Sequence, residues 1–140
     1  MNIRVRNLSF AYGNSPVLND LNFDCESGQI VAILGENGSG KSTLLAFLAG
    51  LKDSIAVEWD GHAPSCQSLE ERACLRTLVP QHSVFDAAMP LYDYILMGRK
   101  PWFGWNESSG DHHIVAEMLR LFELTDLAFR PLSNISGGER

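Results

Sequence analysis

The chain has 140 residues, 45% hydrophobic and 20% charged, a length that fits one domain and a composition that excludes wholesale disorder. Eleven Lys and Arg against 17 Asp and Glu give a formal charge of −6. That excludes the basic footprint of a nucleic-acid binder, while a local phosphate site stays open because backbone amides bind phosphate without net positive charge.

No apolar run approaches the roughly 20 residues of a membrane span, and the first six residues lack the apolar core of a secretory signal. Alternation predicts a strand over Ile3 to Phe10, a turn punctuated by Gly13, Asn14 and Pro16, and a second strand over Val17 to Cys25. Ile30 to Leu34 is a continuous apolar run, the pattern of a parallel strand buried on both faces. Gly35 to Gly40 reads as a glycine-rich loop. Lys41 to Gly50 reads as a helix, packed through Leu44, Leu45, Phe47 and Leu48 and stopped by Gly50. Strands are predicted at Ile55 to Trp59 and Leu75 to Val79, with a helical turn over Ser68 to Cys74 between them. Pro90 to Met97 predicts a helix entered by proline, and Lys100 to Gly110 is irregular and aromatic. Asp111 to Leu124 predicts a helix with Ile114, Val115, Met118, Leu119 and Phe122 on one stripe, capped by Ser109 or Asp111. Cys25, Cys66 and Cys74 lack the spacing of a disulfide framework or a zinc site and read as reduced, buried side chains. His112 and His113 read as solvated, and Glu70 and Glu71 as exposed.

The strongest chemical signal is Gly35-Glu36-Asn37-Gly38-Ser39-Gly40-Lys41-Ser42, which matches G-x-x-x-x-G-K-[ST], the P-loop. An apolar run leads in and a helix leads out, as the motif requires. The glycines let the backbone curl so that its N–H groups converge on phosphate oxygens, and the start of the following helix adds its dipole. Lys41 suits the β- and γ-phosphates and Ser42 suits Mg²⁺, with the binding segment continuing into Thr43. By itself the loop leaves kinases, GTPases and transport ATPases all open.

Further along, Ser136-Gly137-Gly138-Glu139 resembles the signature motif of ABC ATPases, L-S-G-G-Q/E, with Ile135 in the Leu position. Tyr12 is similar to the family's aromatic residue that stacks on adenine. Gln81 is similar to its Q-loop glutamine, which meets Mg²⁺ and the γ-phosphate side and senses a transmembrane partner. From Tyr12 to Arg140 these features follow the family's order, and the chain resembles an ABC transporter nucleotide-binding domain. The resemblance implies an α/β P-loop NTPase fold with an N-terminal antiparallel β subdomain, a partial α/β core and a helical subdomain from about Pro90 to Pro131. Residues 1–80 would hold the β subdomain and P-loop core, and 81–140 the Q-loop, helical subdomain and signature. It implies ATP and Mg²⁺ as cofactors, with Lys41 and Gln81 catalytic and Ser42 and Gln81 at the metal. Tyr12, the 35–43 loop and Ser136, Gly137, Gly138 and Glu139 would contact nucleotide.

The same resemblance implies a second nucleotide-binding domain, permease subunits and a substrate-binding protein as partners, no nucleic acid, and a peripheral seat on the cytoplasmic face of the plasma membrane. Gly98-Arg99-Lys100-Pro101 resembles the G-R-x-P stretch of ATPases that drive iron–siderophore, haem and cobalamin import. Phe85, Met89, Leu91, Tyr92, Trp102, Phe103 and Trp105 crowd this region, as a docking surface for a membrane subunit or as a small core. The alternatives are a soluble ABC ATPase of translation or DNA repair, or a non-functional remnant. The family's Walker B run, ending in Asp-Glu, is absent from the sequence. The expectation is therefore an N-terminal fragment truncated before Walker B, marginally folded, binding nucleotide weakly and hydrolysing it poorly.

Overall fold

Strand β1 (Ile3–Tyr12) runs antiparallel to β2 (Ser15–Cys25) on one side and to the short β3 (Val57–Trp59) on the other, giving the order β2-β1-β3. The computed structural model describes residues 1–81 and 87–135. It divides into two compact units, Met1–Leu78 and Val79–Arg140.

A strict period of two would turn Leu8 away from the face that Val5 occupies. Both are nevertheless buried, because the register shifts between them at Asn7, which takes φ 51. The facing strand does the same between Leu18 and Leu21, where Asp20 takes φ 46. Asn and Asp tolerate this left-handed backbone better than other side chains do. The two kinks brace each other: Asn7 Nδ2 donates to Asp20 Oδ1 at 2.7 Å, and Asn7 N donates to Asn22 Oδ1 at 2.8 Å. At the far end of the hairpin, Arg6 Nη2 forks onto both Asp24 oxygens at 2.9 and 2.7 Å and holds that carboxyl below its usual range.

Helix α1 (Lys41–Leu48) lays Leu44 and Phe47 on the sheet, where they join Val5, Leu8, Leu18, Val57 and Trp59 in one core. Leu45, expected to pack, faces outward. Gly50 ends the helix as predicted, in a defined motif. With φ 62, its N–H reaches Phe47 O at 2.9 Å while Leu51 N–H reaches Ala46 O at 2.9 Å. A Cβ at Gly50 would approach the Trp59 ring to 2.7 Å, so glycine is required there by contact as well as by dihedral. The buried Trp59 donates from Nε1 to Leu48 O at 3.1 Å, and Arg72 donates from Nη1 to Gly50 O at 3.2 Å and Asp53 Oδ1 at 3.0 Å. Arg72 belongs to α2 (Leu69–Leu75), which Ser68 and Glu71 open with a reciprocal capping box. Glu71 therefore has a structural task that exposure alone did not suggest.

Two expected strands do not form. Residues 30–34 pair with no other strand among the described residues; Ile30 is fully exposed and Leu34 is 90% exposed, and Ile33 alone rests against the core. After α2 the chain continues to Val79 without pairing, and Val79 is exposed. Both runs carry the composition of an interior strand. An interior strand, however, is made by neighbours on either side, and the sheet β2-β1-β3 supplies none to either run. Cys66 and Cys74 are exposed and Cys25 half-buried, against the expectation of burial.

In the second unit, α3 (Leu91–Met97) and α4 (Ser109–Leu121) enclose a core of Leu91, Val115, Leu119, Ala128, Leu132 and Ile135. The chain on either side of the helices is clasped: Leu91 N donates to Arg130 O, Tyr92 N to Ala128 O and Leu132 N to Met89 O. Helix α4 starts earlier than predicted because the cap is Ser108, with Asp111 reaching back to it. It also ends earlier. Glu123 takes φ 58, and Leu124 N–H bonds Leu119 O at 2.7 Å, which removes Phe122 from the apolar stripe and leaves it exposed. His112 is exposed, as expected, and shares a 2.7 Å hydrogen bond between its Nδ1 and the Tyr92 hydroxyl.

The Ser108–Asp111 box also receives Arg99, whose Nε donates to Asp111 Oδ1 at 3.1 Å while its guanidinium lies 4.4 Å above the Trp102 ring. The arginine of the Gly98–Pro101 stretch is thus a strut within its own unit. Ser108→Ala is expected to cost about 1 kcal/mol of stability, read as a lowered urea midpoint. The Ser108 hydroxyl first, its backbone N–H next and Arg99 further hold the Asp111 carboxyl below its usual range. Its folded value lies below its unfolded one, so its contribution is complete at neutral pH. That contribution is lost as pH falls below about 4 and through the depressed value. The acid limb of a stability–pH curve should therefore flatten in Asp111→Asn.

Candidate functional site: the 35–43 loop

Between the unpaired 30–34 run and α1, the chain folds back on itself. Ser39 N donates to Glu36 O at 3.2 Å, and Gly38 and Gly40 take φ 83 and 90. Gly40 is also crowded: a Cβ there would stand 2.9 Å from Val17 O and 2.8 Å from Val17 Cγ1. The second edge of the loop is therefore seated directly on β2, a contact between residues distant in sequence that no local pattern announced. At Gly35 a Cβ would meet Ser39 Oγ at 2.7 Å, so a side chain there would make the Ser39 hydroxyl turn away.

Lys41 bends its ammonium back across the loop and donates to Gly35 O at 2.8 Å and Glu36 O at 2.6 Å. Ser42, next on the helix, is exposed, and Thr43 is buried. The first turn of α1 holds no acidic residue, so nothing in that turn neutralises the positive end of its dipole. A glycine-rich backbone, a lysine and a hydroxyl at a helix start make a donor set suited to phosphate with a divalent cation. The geometry fits the ligands expected from the motif.

Tyr12 closes β1 in the same unit, with its ring half exposed. It meets Phe10 edge to face at 4.8 Å between centroids, and Phe10 meets the buried Phe47 of α1 at 5.2 Å. Lys52 Nζ lies 4.7 Å from the Phe10 centroid and 5.1 Å from that of Tyr12. Sequence reasoning missed Lys52, because only the fold brings it to the end of β1. Gln81 is exposed and belongs to the second unit. Ser136, Gly137, Gly138 and Glu139 lie outside the described residues, as do Phe85 and His82. Of the aromatic stretch, Met89, Leu91 and Tyr92 pack in the second core, whereas Trp102 and Trp105 are exposed.

The antiparallel sheet, the glycine loop and the helix that leaves it define a P-loop α/β fold of the ATP-binding-cassette type. A family model described as ABC transporter matches residues 18–140, and the chain belongs to that family. It is 35% identical over 137 residues to the hemin import ATP-binding protein HmuV of Thermobifida fusca, covering 96% of this chain and 48% of that protein. It is 34% identical over 142 residues to the sulfate/thiosulfate import ATP-binding protein CysA of Yersinia pseudotuberculosis, covering 100% of this chain and 39% of that one. A solved metal-chelate type ABC transporter in an inward-facing conformation superposes with a TM-score of 0.75 at 32% identity, over 99% of this chain and 51% of the other. The chain thus spans about half the length of the curated relatives it matches. Among the described residues, no helix is long and apolar enough to cross a membrane.

Proposed function

We propose that the chain binds ATP at the 35–43 loop and works as the ATP-binding subunit of an importer, coupling nucleotide binding and hydrolysis to uptake of a metal chelate of the haem or siderophore kind. The observation that carries the reading is the loop itself: glycines at positive φ, one of them seated against β2, and a lysine folded over them. In this reading the Lys41 ammonium exchanges the carbonyls of Gly35 and Glu36 for β- and γ-phosphate oxygens, and backbone N–H groups of the loop and of the first turn of α1 would bind the same anion. Ser42 would hold Mg²⁺, which would supply charge neutralisation on the phosphates. Tyr12 would carry the base on its open ring, as an aromatic face suits any base. Ser136 to Glu139 would serve a nucleotide held by the P-loop of a second such domain.

The metal-chelate cargo rests on the hemin import relatives and on the solved metal-chelate type transporter. Permease subunits, reached on the cytoplasmic face of the membrane, and a substrate-binding protein upstream of them complete the machine. Exposed Trp102 and Trp105 in the second unit support a docking role for the aromatic stretch, since large rings left in water mark contact sites. The test is titration of the chain with a fluorescent ATP analogue in Mg²⁺. Saturable binding displaced by ATP is expected; binding that ATP does not displace rejects the reading.

A further inference from the structure

We propose that Lys52 is a positioning residue for the base of the bound nucleotide, holding the Tyr12 ring in the one orientation that leaves it open. The inference rests on the nucleotide site proposed above and adds to it a residue outside the loop. A tyrosine at the end of a strand, half exposed, turns freely about its side-chain bonds, and fixing it on binding weakens affinity. In this protein the ring is already held on two sides. Phe10 meets it at right angles with 4.8 Å between centroids, and the Lys52 ammonium stands over both rings at 4.7 and 5.1 Å. A cation over an aromatic face is attracted by the ring's quadrupole.

The lysine itself is held by its backbone. Lys52 N donates to Ala46 O at 3.1 Å in the turn that closes α1. On one side Gly50 O accepts from Arg72, and on the other the Asp53 carboxylate pairs with Arg72 at 3.0 Å. The adjacent acid is therefore occupied elsewhere, and the ammonium is directed to the rings. Through Phe10 and Phe47 the platform rests on the same helix whose first turn faces the phosphates. Base and phosphate subsites thus share one rigid element, with Lys52 fixing the base end.

The test compares Lys52→Met, which keeps the length of the stem and loses the charge, with Lys52→Arg, which keeps a cation over the rings. Each is titrated with ATP and with inorganic tripolyphosphate, which has no base. Lys52→Met should weaken ATP about two- to five-fold and leave tripolyphosphate unchanged, and Lys52→Arg should restore ATP binding. Equal losses for both ligands, no loss for ATP, or failure of Lys52→Arg to restore it would each overturn the proposal. In all three cases Lys41-dependent tripolyphosphate binding persists. If the unaltered chain binds neither ligand, the nucleotide site itself is refuted and this inference falls with it.

Discussion

Replacing Lys41 with Ala is expected to weaken binding of an ATP analogue about 150-fold or more while leaving the melting temperature nearly unchanged. The ammonium makes two short hydrogen bonds, to Gly35 O and Glu36 O, on an exposed part of the loop. Each charge-assisted bond it would make to phosphate contributes about 1.5–3 kcal/mol. Two of them lost together amount to about 3 kcal/mol or more, which is about a 150-fold change. The loop carbonyls it leaves behind can turn to water, so little folding energy goes with them. Isothermal titration paired with circular dichroism separates the two effects. An affinity unchanged by Lys41→Ala would falsify the phosphate assignment, and a collapsed fold would show the lysine to be structural.

Trp59→Ala is expected to have the largest effect on stability, about 3–5 kcal/mol. The ring is 1% exposed, fills the core between the sheet and α1, and donates to the carbonyl of Leu48 at the end of that helix. Its edge is the surface against which Gly50 closes, and the Arg76 guanidinium lies 5.2 Å above it. Set against a typical domain stability of about 5–15 kcal/mol, this loss should leave the first unit largely unfolded in about 2 M urea. Trp59→Phe keeps most of the ring and loses the hydrogen bond, and should cost about 1–2 kcal/mol. Equal urea midpoints for Trp59→Ala and the unaltered chain would show that the hydrophobic centre of the unit lies elsewhere.

Where structure depends on neighbours in the chain, the sequence was readable. The 35–43 loop, α1 and its stop at Gly50 follow from glycine positions and spacing alone. The hairpin followed from alternation, but its two kinks did not, because Asn7 and Asp20 look like ordinary outward-facing strand residues until the register forces them to φ 51 and 46. The sequence offers Ser109 or Asp111 as the cap of α4, whereas the cap is Ser108 and Asp111 is the side chain that reaches back to it. The run at 30–34 has the composition of an interior strand, yet that property is lateral, and no pattern within five residues states who stands beside them. Tyr12 and Gln81 drew their roles from resemblance rather than from any local chemistry. Lys52 was invisible for the opposite reason, since its meaning lies in two rings some forty residues earlier.

The loop proposed to receive phosphate is moored unevenly. Gly40 is wedged against the backbone of β2, whereas Gly35 follows a five-residue leader that pairs with no strand among the described residues. The leading end is tied instead by hydrogen bonds from Lys41 to Gly35 O and Glu36 O, and an anion that drew Lys41 away from those carbonyls would place the cost of reordering mainly on residues 35–37. Anything that aligns a strand beside residues 30–34 would fix the leading end and raise the affinity proposed for the loop at a distance, with no new contact to the anion itself.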